Sequence, residues 1–195
     1  AFAGTNLTET ISATANLSLD PGVSGGTYSW SVDDPNVATV TANEGTGSVI
    51  SKGAGKTVVN ISYTLSDGTS DTKKVPVVVP LTVNSDRVKG IMSVGNSDIV
   101  TCDAAASKYV QWTSSNSNIV SVEADTNAAG NGSVATITAV SGGTAVITCT
   151  IPSDSLAAMS FTVTVGVAID ETEITVNQGE SKPLTTNSNS VKDVF

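Results

Sequence analysis

Apolar and polar residues alternate with a period of two along much of this chain. In "GKTVVNISYTL" (residues 55–65) Val59, Ile61 and Tyr63 share one parity, and in "TAVITCTI" (residues 144–151) Ala145, Ile147, Cys149 and Ile151 do the same. Successive side chains of an extended strand point to opposite faces, so each run predicts a strand with one inward face. The runs are short and β-branched, and Gly, Asn or Asp bounds them, which is how strands joined by tight turns read.

The runs recur in a fixed order. "YSWSVDDPNVATV" (residues 28–40) and "YVQWTSSNSNIVSV" (residues 109–122) each set a Trp in an alternating run, then a polar corner, then a second run ending in Val. Trp30 and Trp112 are the only tryptophans, and about 80 residues separate them, the span of one small domain. Behind Trp30 come "VATVTA", "GSVISKG" and "GKTVVNISYTL"; behind Trp112 come "IVSVEA", "GSVATITAVSGG" and "TAVITCTI". The closing strands are expected at Thr72–Val79 and Met159–Val165, with Pro76 marking an edge or a bulge. The chain then enters a third alternating run, in which Ile174, Val176, Gly179 and Leu184 loosely match Ile91, Val94, Gly95 and Val100. The expected organisation is a domain over 1–80, a second over 81–166, and a linker with the first strand of a partial third repeat over 167–195.

A Trp followed by a Ser/Asn/Asp corner, "VATV" or "IVSV", a Gly-Ser-Val strand, then Gly and "TAVIT" resembles the bacterial immunoglobulin-like group 2 (BIG2) family. The resemblance covers residues 5–80 and 81–166 plus the partial third copy. It implies an all-β chain of tandem immunoglobulin-like β-sandwiches, Greek key, with about seven strands each. It also implies use in tandem on bacterial surface proteins, adhesins and phage capsid or tail proteins, with no enzymatic activity of the domain itself. Trp30, Trp112 and Tyr63 are expected as core anchors.

The order Cys102, Trp112, Cys149 is that of an immunoglobulin sandwich with a bridge between its sheets. BIG2 domains usually lack that bridge. Both cysteines fall on inward parities, so two readings stand: a disulfide, or two buried thiols acting as small apolar residues. An extracellular setting favours the disulfide. Closing such a loop stabilises a fold by about 4 kcal/mol in the chain-entropy account. The first repeat, with Tyr63 expected at the station of Cys149, has only packing to hold it and is expected to melt first.

Composition narrows the function. The chain has 195 residues, a net charge of −9 and only nine Lys plus Arg, so no basic stripe offers itself to nucleic acid. The longest apolar stretch, "VPVVVPLTV", carries two prolines and is too short to span a bilayer as a helix, so no membrane insertion is expected in this segment. The opening "AFAG" resembles the end of a signal peptide, and sequons at Asn6, Asn16, Asn60 and Asn131 suit an extracellular surface. With no His, the Ser-His-Asp and Cys-His nucleophiles and every His-containing zinc site are excluded. "GAGKT" (residues 53–57) lacks the upstream Gly of a phosphate loop and reads as an interstrand turn. Asp33 and Asp34 read as a corner, since adjacent residues of a strand do not converge. The acidic run Asp170, Glu171 and Glu173 is the one place where calcium is considered, against a solvated acidic turn. No catalytic, cofactor-binding or metal residue is expected otherwise.

The leading expectation is a non-enzymatic structural or adhesion module, an Ig-like stalk or spacer of a larger extracellular bacterial surface protein. Its partners are neighbouring Ig-like domains of the same chain. A phage virion protein is the first alternative, and it would form a homo-oligomer around a symmetry axis. The second is an adhesin for a host protein or glycan, disfavoured because Tyr28, Tyr109 and Phe161 are all expected in cores. The run "AIDETEITVNQGESKPLTT" is expected either to begin the next domain or to add as a strand to a neighbouring subunit.

Overall fold

The computed structural model describes residues 2–3, 7–8, 14–19, 26–85, 91–126, 130–156, 158–166 and 174–183, with backbone alone for those before 26. It divides into two compact units. The first comprises Ala1–Thr82, Asp103–Val110 and Thr150–Ala158, and the second Val83–Cys102, Gln111–Cys149 and Met159–Phe195.

The first unit holds β1 (Phe2–Ala3), β2 (Leu7–Thr8), β3 (Thr14–Leu19), β4 (Gly26–Val32), β5 (Ala38–Asn43), β6 (Thr46–Ser51), β7 (Gly55–Leu65) and β8 (Ser70–Val79). They form two sheets, ordered β1-β3-β6-β5 and β2-β8-β7-β4. Every pairing is antiparallel except β2 with β8, where Leu7 meets Val77 and Thr8 meets Val78 in parallel. The second unit holds β9 (Val83–Asn84), β10 (Ile91–Ser93), β11 (Ser97–Cys102), β12 (Gln111–Ser114), β13 (Val120–Asp125), β14 (Val134–Ala139), β15 (Gly143–Thr150) and β16 (Met159–Gly166). Its sheets run β13-β14-β11-β9 and β10-β16-β15-β12, the same order strand for strand, with β10 parallel to β16. A leading strand split between two otherwise antiparallel sheets is the immunoglobulin-type sandwich. The fold class is therefore all-β with tandem Ig-like sandwiches.

The cores follow from the period of two. In β7 the inward series Thr57, Val59 and Ile61 is buried, and in β8 Val75, Val77 and Val79 are. These pack with Val37, Ala38, Val49 and Ala105, while Trp30, Val32 and Val40 close over them half-buried. In the second unit Met92, Val100, Trp112, Val120, Ala135, Ile137, Ile147, Cys149, Val163 and Val165 are buried. Valine and isoleucine fill a pleated surface with stiff side chains, which suits a core this poor in aromatics.

The corners after the two tryptophans have one construction. Asp34 accepts on its carbonyl from the amides of Val37 and Ala38, and Asn116 accepts likewise from Ile119 and Val120. The Asp34 carboxylate takes the amide of Asn36 at 3.1 Å, and the Asn116 side-chain oxygen takes that of Asn118 at 3.1 Å. Asp and Asn favour such corners because their side chains bond the backbone two residues on.

Candidate functional site

Charged side chains converge at one place in the first unit. Asp34 sits in the corner after β4, Lys56 and Thr57 open β7, Ser107 and Lys108 belong to the 103–110 segment, and Asp154 ends the single-turn 3-10 helix Pro152–Asp154. The Lys108 ammonium lies 3.3 Å from Asp34 Oδ2 and 3.2 Å from Asp154 Oδ2. It also donates to the Lys56 carbonyl at 3.1 Å. Ser107 Oγ donates to Asp34 Oδ2 at 2.7 Å, the Lys56 amide donates to Asp154 Oδ2 at 2.6 Å, and the Asp34 amide donates to Thr57 Oγ1 at 2.8 Å. The side chains of Lys108, Asp34 and Asp154 are 14%, 18% and 8% exposed, so solvent screens the cluster only in part.

Burial pushes the Asp34 carboxyl up, but the bonds from Ser107 and the Asn36 amide and the Lys108 ammonium outweigh it and hold it below its ordinary 3.8. A general acid needs the opposite, a carboxyl raised toward neutrality. The two carboxylates share one cation and several donors, so the arrangement is an ion-paired clamp that fastens the 103–110 and 150–158 segments to β7. An open groove of about 370 Å³ runs beside it, lined by Val58, Pro76 and Val78 together with Asp33, Asp34, Lys56 and Lys108. Asp33 is occupied too, accepting from Asn60 Nδ2 at 2.6 Å.

The "GAGKT" segment does mechanical work beside the clamp. A Cβ on Gly53 would lie 2.6 Å from Ala105 Cα, so only glycine permits that approach. The Ala54 amide donates to the Asp103 carbonyl, and the Ala105 amide returns to the Ala54 carbonyl.

The other expected residues fall as follows. Trp112 is buried and donates from Nε1 to the Gly132 carbonyl at 2.8 Å; Trp30 is half-buried and donates to the Glu44 carbonyl at 3.0 Å. Tyr63 is half-buried beside Tyr28, with ring centroids 6.2 Å apart. The station of Cys149 in the first unit belongs to Ile61 instead of Tyr63, because Gly55 and Gly143 open equivalent strands and both residues lie six further on. Cys102 is half-buried on β11 and Cys149 fully buried on β15, one in each sheet. Tyr109 departs from expectation. It is 60% exposed, because it precedes β12 in a loop where Val110 takes the inward place. Asp170, Glu171 and Glu173 lie outside the described residues, among which no group of three or more His, Cys, Asp or Glu is placed to hold a metal.

Lys108, Ser107 and Asp154 were not legible as a set, since nothing in the local pattern of "AASKYV" or "IPSDSL" announces a contact spanning tens of residues. The one usable signal was scarcity: a lone Lys amid small residues, in a chain with nine basic groups.

No protein-family profile matches the chain, and no curated protein matches it either. Among solved structures, domains 5–6 of the S-layer protein SbsC are 19% identical over 85% of this chain and 97% of that one, with a TM-score of 0.31. A C-terminal 282-residue fragment of intimin, solved with the intimin-binding domain of the translocated intimin receptor, is 19% identical over 80% of this chain and 58% of that one, TM-score 0.38. Protocadherin gammaB7 EC3–6 is 12% identical over 88% and 49%, TM-score 0.32. No helix among the described residues is long and apolar enough to cross a membrane.

Proposed function

We propose that the chain is a non-enzymatic structural module, an Ig-like stalk or spacer within a larger extracellular bacterial surface protein of the BIG2 type. One observation carries this reading. The most concentrated set of charged groups described, Asp34, Lys108 and Asp154, is spent on holding chain segments together, with the Asp34 carboxyl kept ionised. The two-fold recurrence of one strand order supports it, because repetition without a cleft of reactive groups builds length or spacing.

A second reading has its own support. Tyr109 presents an aromatic ring to solvent, and such rings anchor protein and sugar ligands. Glycan and host-protein arrays probed with the whole chain separate the two. The spacer reading expects no saturable binding; binding that disappears in Tyr109→Ala would replace it with an adhesin.

A further inference from the structure

Residues 174–180 repeat a structural element of the second unit. Between β10 and β11 the chain turns at Ser93–Asn96, with the Asn96 amide donating to the Ser93 carbonyl at 3.0 Å and Gly95 at φ +87°. Further on, the Glu180 amide donates to the Asn177 carbonyl at 3.0 Å, with Gly179 at φ +89°. Both are four-residue turns needing a left-handed third residue, which glycine supplies without strain. The Asn177 side chain adds a bond to Glu180 Oε2 at 3.1 Å.

Superposing the glycines fixes a register that periodicity alone left loose. Gln178 then stands for Val94, Asn177 for Ser93, Val176 for Met92 and Thr175 for Ile91. Met92 is 7% exposed, buried because β10 lies parallel on β16 with Met92 opposite Val165. Val176, its equivalent, is 41% exposed, and Ile174, two residues earlier and of the same parity, is 37% exposed. Neither closing strand described can take them up: β8 already lies between β2 and β7, and β16 between β10 and β15.

We infer that residues 174–180 are the leading strand and first turn of a further Ig-like unit, and that their partner is the closing strand of that unit, taken up in parallel. The partner's chemistry follows from both precedents. β2 and β10 each lie parallel on a closing strand with alternating valines, Val75, Val77 and Val79 or Val163 and Val165. A strand of that kind supplies the ladder for 174–176 and the apolar surface that removes Val176 and Ile174 from water.

The test is a graft in the full chain. Residues 91–96 are replaced by the sequence of 175–180, so that the segment must perform as β10 and its turn against β16. Met92→Val alone measures the cost of the shorter side chain. The graft should melt within a few degrees of that variant, and Val176→Asp inside the grafted sequence should lower the second unit's melting temperature sharply. A scrambled hexapeptide in the same place should do the same. A graft that melts with the scrambled control, or that is indifferent to the Asp, overturns the inference.

Discussion

Gly47 lies under the indole of Trp30: a Cβ there would come within 2.8 Å of the ring. Gly47→Ala must therefore push the Trp30 ring off its seat against the first unit's core, at a cost of about 1–3 kcal/mol typical of overpacking. Thermal unfolding followed by tryptophan fluorescence should show the transition assigned to Trp30 moving down while that of Trp112 stays. Lys108 is the other sensitive residue. Lys108→Ala leaves Asp34 and Asp154 with no shared cation; a partly exposed pair of this geometry contributes about 1 kcal/mol. The loss should shrink in high salt, which denaturant midpoints in low and high ionic strength would check. The sign with pH follows from Asp34. Its folded value is below the ordinary 3.8, so its contribution is complete above that value and is lost as the pH falls through the lower folded value. Asp34→Asn should accordingly flatten the acid limb of the stability curve below about pH 4.

Among elements, β11 and β15 hold the sharpest question, since they carry Cys102 and Cys149 in opposite sheets of the second unit. We expect the two cysteines to be joined under oxidising conditions. The second unit would then gain up to about 4 kcal/mol over its reduced form. Differential alkylation should find both blocked after oxidation, and a reductant should lower one thermal transition and leave the other, the lower one of the first unit, in place. Two accessible thiols after oxidation would reject the bridge. What was legible at this scale was local. The Trp-bearing strands, the Asp34 and Asn116 corners and the closing strands are coded by alternation and turn chemistry within a dozen residues. β8 begins two residues earlier than alternation suggests, at Ser70, because polar residues on the exposed end of a hairpin pair as readily as apolar ones. The equivalence of Ile61 with Cys149, and the clamp around Lys108, depend on register between distant segments, which alternation does not encode. Tyr109 failed for a related reason: its parity suits a strand, yet the strand begins two residues later.

At the scale of the whole molecule, two Ig-like units recur in strand order and hold by packing, hydrogen bonds and, in the first, the ionic clamp around Lys108. Repetition of this kind suits the proposed spacer role, and each unit should unfold as its own cooperative event. Single-molecule pulling on the full chain tests this most directly. With the cysteines reduced we expect two unfolding steps, each releasing chain equivalent to about 80 residues at roughly 3.5 Å per residue; joining Cys102 to Cys149 should shorten the second unit's step to less than half, because the loop between them stays closed, and leave the first unit yielding at the lower force. A single step that releases the whole length at once, or gradual extension without steps, would contradict it.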